Sequence, residues 1–259
     1  MHPHILVFDS GIGGTSVLAH LEHAVPNATF RYVMDNALLP YGLQSQETII
    51  KRLSGLVKPN QPWSESIDLI VIACNTASTQ ALDALRKMTT IPIVGVVPAI
   101  KPAALQSKTR HIALLATPAT TSNQYTHNLI REFASDCQVD LHHSTDLVRL
   151  AEACFWQNTT NETEIIREIQ RLSISPYVDQ LVLGCTHFPI IARQIKSALG
   201  AQVSLLDSGA AIARRVMHLL GSSGKQICVN KKGLVYYYAT KPIVHSNNSI
   251  TDVLNIDLS

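Results

Sequence analysis

Short apolar runs alternate along the chain with longer segments in which apolar residues recur about every 3.6 positions. The short runs are apolar throughout rather than alternating, which is typical of strands covered by helices on both faces. The predicted strands are 5–8, 30–34, 69–73, 93–96, 112–116, 181–183 and 203–206, with a weaker one at 233–239. The predicted helices are 15–24, 46–57, 77–88, 122–134, 161–172, 190–198 and 210–220. This order predicts an α/β fold with mainly parallel sheets.

The two halves of the chain repeat one arrangement, in which an apolar run ends directly at a cysteine. Cys74 is followed by Asn-Thr and Cys185 by Thr-His. Ligands bind at the carboxyl ends of strands in open α/β sheets, so two facing domains would present both thiols to one cleft. We therefore predict two pseudo-symmetric domains, residues 1–97 with 208–259 and residues 98–207, around an interdomain active site. The alternative is that any two strand-helix units look alike, but here the cysteine placement repeats as well.

Composition and charge narrow the class of protein. Lys and Arg total 21 against 19 for Asp and Glu, so the net charge of +2 gives no reason to expect a nucleic-acid or membrane-surface partner. The start lacks a basic segment before its apolar run, and the apolar runs are far shorter than the roughly 18 residues of a membrane span. We therefore expect a cytoplasmic location. The 5 cysteines are widely spread and form no CxxC, so we expect neither a disulfide framework nor a metal site.

A glycine-rich turn follows the first predicted strand, with the sequence Asp9-Ser-Gly-Ile-Gly-Gly. Such a turn lets backbone N–H groups approach a ligand closely. It could belong to a dinucleotide site, with Asp35 at the end of the next strand as the acid that binds the ribose. The dinucleotide pattern needs a glycine at position 16, where the chain has Ser16, and Asp9 would lie against a pyrophosphate. We therefore do not expect a nicotinamide cofactor.

The two repeated cysteines are the candidates for chemistry. A thiol at the start of a helix lies at the positive end of the helix dipole, which favours the thiolate. The alternative is that each cysteine is a small inert core residue. The repeat of the arrangement, with polar neighbours at both cysteines, favours a functional role over this alternative. Racemisation needs one base on each face of a carbon, and a thiol pair meets that geometry if each protonation state is tuned. Asp9 is the candidate partner of Cys74, and His187 that of Cys185, oriented by Glu152.

Four blocks of sequence resemble those of glutamate racemases, in the same order. They are Asp9-Ser-Gly-Ile-Gly-Gly, Pro40-Tyr-Gly, Ala73-Cys-Asn-Thr-Ala-Ser and Gly184-Cys-Thr-His-Phe-Pro, and the resemblance extends from residue 5 to about 216. It implies an isomerase of two α/β domains, without cofactor or metal. It implies that Cys74 takes the α-proton from D-glutamate and Cys185 from L-glutamate, with Asp9, Glu152 and His187 supporting the thiols.

The resemblance also implies a set of substrate-binding residues. They are Asp9, Ser10, Tyr41, Gly42, Asn75, Thr76, Thr186 and His187, with further polar contacts at Thr117, Thr120 and Thr121. Leu39 precedes the Pro-Tyr-Gly block, where the resemblance leads us to expect an aromatic or polar residue. The details of the pocket at this position therefore differ from the family pattern. The resemblance further implies a homodimer that supplies D-glutamate for peptidoglycan synthesis.

Other functions stay open on the sequence. Aspartate racemases, hydantoin racemases and arylmalonate decarboxylases resemble this fold and also use cysteines. A thiol hydrolase could use Cys185 and His187 as nucleophile and base, but it would leave Cys74 without a task. A binding protein without catalysis would need Asn75, Thr76 and Thr186 but neither thiol. Substitution of either thiol distinguishes these functions.

Overall fold

The strands form two separate parallel sheets in the computed structural model, which describes residues 2–64, 66–157, 161–225, 227–228, 232–243, 250 and 252–259. The strands are β1 (His4–Asp9), β2 (Thr29–Met34), β3 (Leu69–Ile72), β4 (Ile93–Gly95), β5 (His111–Ala116), β6 (Gln138–His143), β7 (Gln180–Leu183), β8 (Ser204–Leu206), β9 (Val235–Ala239) and β10 (Leu254–Asn255). The first sheet has the order β10-β9-β2-β1-β3-β4, and the second has the order β6-β5-β7-β8. All strand pairs are parallel.

Helices connect the strands and cover both sheets. They are α1 (Thr15–Ala24), α2 (Gln46–Ser54), α3 (Asn75–Arg86), α4 (Ile100–Gln106), α5 (Pro118–Thr121), α6 (Gln124–Phe133), α7 (Asp146–Gln157), α8 (Glu162–Arg171), α9 (Ala192–Leu199) and α10 (Gly209–Ser222). Short 3-10 turns lie at Asn36–Leu38, Tyr41–Leu43, Gly55–Val57 and Phe188–Ile191. Polar side chains cap several helices. Ser45 accepts a hydrogen bond from the backbone N–H of Thr48 at the start of α2, for example, which satisfies a free donor of the first turn.

β1 explains why the strands are apolar throughout. Its alternate side chains enter two different cores, Ile5 and Val7 on one face of the sheet and Leu6 and Phe8 on the other. All four are fully buried. A strand covered on both faces has no solvent side, so the polar alternation of a half-exposed strand is absent. The predicted α/β class with parallel sheets is confirmed.

The two sheets share one topology, and it determines where a ligand binds. In each sheet the first four strands along the chain lie in the order second, first, third, fourth, and β9 and β10 extend only the first sheet. The chain therefore changes direction between the first and third strands, β1 and β3 in one sheet and β5 and β7 in the other. The carboxyl ends of these two strands border the crevice in which open sheets bind ligands.

Five of the α-helices and strands formed by the described residues were not predicted from the sequence. They are α4, α5, β6, α7 and β10. The helix predicted at 77–88 begins two residues earlier, at Asn75. Residues after 208 return to the first sheet, since β9 pairs with β2 and α10 packs in the same core as α1. The exact domain boundaries remain a prediction, and residues 244–249 and 251 of the polar tail lie outside the described part of the chain.

None of the helices built from the described residues has both the length and the apolar character needed to cross a bilayer.

Candidate active site

Both repeated cysteines line one pocket at the carboxyl ends of β3 and β7. Cys74 directly precedes α3, and Cys185 lies two residues after β7. The space between the pocket walls, including the part that is open to solvent, is about 250 Å³. These walls are formed by Ser10, Pro40, Tyr41, Gly42, Cys74, Asn75, Thr76, Thr117, Val148, Cys185, Thr186 and His187. The structure thus brings the two thiols together from the two sheets.

Asp9 lies behind the Cys74 side of the pocket and is fully buried. Its Oδ1 accepts hydrogen bonds from the Gly11 N–H at 2.9 Å and from the Ser10 hydroxyl at 3.4 Å. Ser10 Oγ in turn lies 3.8 Å from Cys74 Sγ, so the carboxylate reaches this thiol through Ser10. Its Oδ2 accepts from the Thr186 hydroxyl at 2.8 Å, across the interface between the sheets. Burial raises the pKa of Asp9, against the opposing charge of His187.

The expectation that helix N-termini favour both thiolates is wrong. Cys74 is the N-cap of α3, but burial and the nearby charge of Asp9 outweigh the helix dipole and raise the pKa of its thiol well above the ordinary range. Cys185 is not at the start of an α-helix, because a 3-10 turn follows it and α9 begins only at Ala192. Burial and the charge of Asp9, rather than the helix dipole, therefore determine the direction of the Cys74 pKa shift.

His187 links Cys185 to Glu152. Its Nδ1 lies 3.7 Å from Cys185 Sγ, and its Nε2 lies 2.8 Å from Glu152 Oε1. Burial alone would lower the pKa of His187, but the hydrogen bonds to Cys185 and Glu152 outweigh it and raise that pKa well above its ordinary value. Burial likewise opposes ionisation of Glu152, but its hydrogen bond to His187 leaves the Glu152 pKa lowered. The raised pKa favours a protonated ring, in which Nδ1 donates to the sulfur and Nε2 to the carboxylate.

Two further donors fix the Glu152 carboxylate. The backbone N–H of Ile12 donates to Oε1 at 2.9 Å, and Trp156 Nε1 donates to Oε2 at 2.8 Å. Sequence reasoning missed Trp156. The signal was its position four residues after Glu152, which places both on one face of a helix, but α7 itself was not predicted.

The glycine-rich turn allows the second sheet's residues to approach the first. A Cβ built at Gly11 would lie 2.1 Å from Glu152 Oε1, and one at Gly13 would lie 2.4 Å from His187 Nδ1. A side chain at either position would therefore displace the catalytic candidates of the opposite sheet. The buried Tyr32 holds the turn in place, because its hydroxyl donates to the Gly11 carbonyl at 2.7 Å. Glycine is therefore required at positions 11 and 13 because Glu152 and His187 approach the backbone there too closely for a Cβ atom.

The predicted substrate-binding residues fall into two groups. Ser10, Tyr41, Gly42, Asn75, Thr76, Thr117, Thr186 and His187 line the pocket. Asp9, Thr120 and Thr121 lie behind the pocket walls; Thr76 Oγ1 is 2.8 Å from Thr117 Oγ1 and 3.2 Å from Thr120 Oγ1. The Tyr41 hydroxyl points away from the pocket and donates to Asp35 at 2.6 Å. Asn75 Oδ1 is buried and accepts no hydrogen bond within the described part of the protein.

The comparisons with known proteins identify the family. Residues 5–216 match the family model described as Asp/Glu/Hydantoin racemase. The chain belongs to the Asp/Glu/hydantoin racemase family. Two family members with similar sequences are the glutamate racemases of Shewanella denitrificans and Vibrio cholerae. The first is 51% identical over 83% of this chain and 77% of its own length, and the second 50% identical over 85% and 81%.

Solved structures of family members share the fold. The Escherichia coli glutamate racemase, in complex with L-glutamate and the activator UDP-MurNAc-Ala, has a TM-score of 0.84 and 37% identity, covering 94% of this chain and 91% of its own. The Bacillus anthracis glutamate racemase RacE1 has a TM-score of 0.79 and 26% identity, covering 93% and 90%. Among the described residues of this family member, no group of three or more His, Cys, Asp and Glu side chains is arranged to hold a metal ion.

Proposed function

We propose that this chain interconverts L-glutamate and D-glutamate, without a cofactor, by exchanging the α-proton between Cys185 and Cys74. The observation that carries the proposal is that two thiols from two similar sheets line a single pocket. Relatives about half identical to this chain are glutamate racemases, and the E. coli relative binds L-glutamate. These relatives favour glutamate over the aspartate and hydantoin substrates of the wider family.

The reaction from L-glutamate begins at Cys185. Its thiolate removes the α-proton, so the Cα–H bond breaks and an S–H bond forms, while His187 donates to the sulfur. The electron pair left on Cα then takes a proton from the Cys74 thiol on the opposite face. The raised pKa of Cys74 suits it to be protonated at this point. The cycle ends with a thiolate at Cys74, which is the base for D-glutamate in the reverse direction.

The polar pocket wall fits an amino acid with two carboxylates. Asn75 Oδ1, buried and without a donor among the described residues, is placed to accept from the substrate ammonium group. Thr76 lies in the first turn of α3, where free backbone N–H groups favour a carboxylate. The Ser10 and Thr186 hydroxyls complete the wall. These contacts position Cα between the sulfur atoms.

The biological role follows from the product. D-glutamate is a building block of peptidoglycan, so the enzyme would supply cell-wall precursors. A homodimer and a cytoplasmic location remain predictions.

Chiral analysis of amino acids after incubation with the protein tests the proposal. Either enantiomer of glutamate becomes racemic without an added cofactor, even after treatment with a chelator or a carbonyl reagent, whereas aspartate does not. Cys74→Ser and Cys185→Ser abolish racemisation, whereas Cys154→Ser, at a half-buried thiol of α7 outside the pocket, does not. Retained racemisation in either pocket variant, or racemisation of another amino acid only, contradicts the proposal.

A further inference from the structure

Asp35, considered above as a possible ribose-binding acid, instead accepts hydrogen bonds from side chains of the protein at both carboxylate oxygens. It follows β2 and is completely buried. Arg52 of α2 donates to both of its oxygens, with Nε to Oδ2 at 2.8 Å and Nη2 to Oδ1 at 2.7 Å. The Tyr41 hydroxyl donates to Oδ2, and the Thr240 hydroxyl donates to Oδ1, each at 2.6 Å. Four hydrogen bonds therefore compensate one buried negative charge.

The same network holds the segment 35–44, which forms one wall of the pocket. At one side Thr240 also accepts a hydrogen bond from the Ala37 N–H at 3.1 Å. Next to it, Asn36 exchanges two hydrogen bonds with the backbone of Lys241, at 2.8 and 2.9 Å. The segment is thus fastened to the end of β9 at its start and to Asp35 through Tyr41 further along.

Tyr41 connects Asp35 to the pocket, because its hydroxyl donates to Asp35 and the residue lines the pocket. Burial and the neighbouring Asp35 carboxylate raise the pKa of Tyr41 far above its ordinary value, so its hydroxyl stays a donor. Its ring packs against Phe8 with centroids 6.0 Å apart, and its other side lines the pocket. Gly42, the next residue, approaches Thr117 of the second sheet so closely that a Cβ would lie 2.6 Å from it. A small displacement of Tyr41 therefore moves the pocket wall.

The wall carries groups that a substrate can use. The backbone N–H groups of Tyr41 and Gly42 donate to no backbone carbonyl within the described part of the chain. Free N–H donors at a pocket wall suit a carboxylate. Asp35 and Arg52 do not line the pocket themselves.

We propose that Asp35 and Arg52 are positioning residues of this enzyme, which hold the Tyr41–Gly42 wall where it binds a carboxylate of the substrate. The inference rests on the proposed function. In this proposal the wall binds the side-chain carboxylate, which is remote from Cα, so its hold on the substrate is equal before and during proton transfer. Loss of such uniform binding raises KM and leaves kcat unchanged. Because the two enantiomers have equal free energies in water, KM rises by the same factor for both.

Three variants test the inference. Tyr41→Phe keeps the ring and removes only the hydroxyl, Arg52→Met removes the cation, and Arg52→Lys keeps the charge without the paired geometry. We expect KM for both enantiomers to rise about tenfold in the first two variants and less in Arg52→Lys, with kcat within about twofold of the wild type. Asp179→Asn is the matched control, because this carboxylate also accepts several hydrogen bonds but lies before β7, at the opposite edge of the sheet. Its KM should not change.

Thermal unfolding and calorimetric binding of racemic glutamate distinguish the possible outcomes. A lowered Tm with unchanged KM and Kd in Tyr41→Phe shows a merely structural network and overturns the inference, as does a fall in kcat at constant KM. Tyr41→Phe decides the question if Arg52→Met does not fold. A wild-type protein that binds glutamate but does not racemise it refutes the proposed function, whereas the ratio of variant to wild-type Kd still tests the inference.

Discussion

The contact between Glu152 and His187 yields a quantitative prediction for the variant Glu152→Gln. The carboxylate accepts from three donors, the Ile12 N–H and His187 at Oε1 and Trp156 at Oε2. A glutamine amide offers one acceptor oxygen and one NH2 group, so in either orientation at least one donor faces another N–H. The variant also removes the negative charge that stabilises the imidazolium of His187. Its shape is otherwise preserved.

The loss can be estimated from the structure. A hydrogen bond to a charged group contributes about 2 kcal/mol. The variant replaces the charged acceptor of His187 by a neutral amide, so it weakens the support that His187 gives to the proposed base Cys185 by about that amount. That loss corresponds to a decrease of about thirtyfold in kcat/KM. The decrease has the same factor for both enantiomers, because the equilibrium between them in water is unchanged. Circular dichroism at a wavelength where L- and D-glutamate differ measures both directions.

Isotope effects show which proton transfer is slowed. Glu152→Gln weakens only the Cys185 side, so the isotope effect on kcat/KM with α-deuterated L-glutamate rises. The effect with α-deuterated D-glutamate falls, because transfer to Cys74 limits the rate less. Glu168→Gln is the control, since this carboxylate of α8 binds the Ser144 hydroxyl and lies outside the site. If Glu152→Gln keeps activity within about twofold of the wild type, or gives the opposite isotope pattern, Glu152 does not support Cys185 through His187.

Three further results are expected. Gly13→Ala places a Cβ against His187, and a displacement of this kind lowers kcat/KM by about a hundredfold; a loss under twofold in a folded variant contradicts the close-approach argument. Trp156→Phe removes one of the donors to Glu152 and lowers kcat/KM severalfold, which unchanged kinetics would disprove. The imidazolium is present below the raised pKa of His187 and is lost as pH rises through it, so activity falls on the alkaline side. Glu152→Gln lowers that pKa, and the alkaline limb of the kcat profile moves to lower pH; an unshifted limb assigns it to another group.

The sequence predicts those parts of the fold that are buried on both faces. β1, β3, β5 and β7 are continuous apolar runs, and their ends locate both thiols. β6 was not predicted because it is an edge strand of the second sheet. Its sequence is polar, and its side chains are only half-buried or exposed. Without β6 the common strand order of the two sheets was not visible.

The sequence predicts the site residues that directly follow a strand. It does not predict the contacts that form only when the two sheets pack together. Cys74, Cys185 and His187 belong to short local motifs. The anchoring of Glu152 by Ile12 joins residues 140 positions apart, and no local pattern records such a contact. The pKa of Cys74 is a similar case, because its helix position favours the thiolate, whereas burial and Asp9, which act only in the folded chain, prevail.

We propose that Cys74 and Cys185 act on opposite faces of one carbon. The most direct measurement follows L-glutamate incubated with the wild-type protein in heavy water, with the two enantiomers separated and their α-positions analysed by NMR or mass spectrometry at low conversion. We expect deuterium in the D-glutamate formed, while the remaining L-glutamate keeps its α-hydrogen. Equal deuterium in both enantiomers, as a single base would produce, or retention of the original hydrogen in D-glutamate, would contradict it.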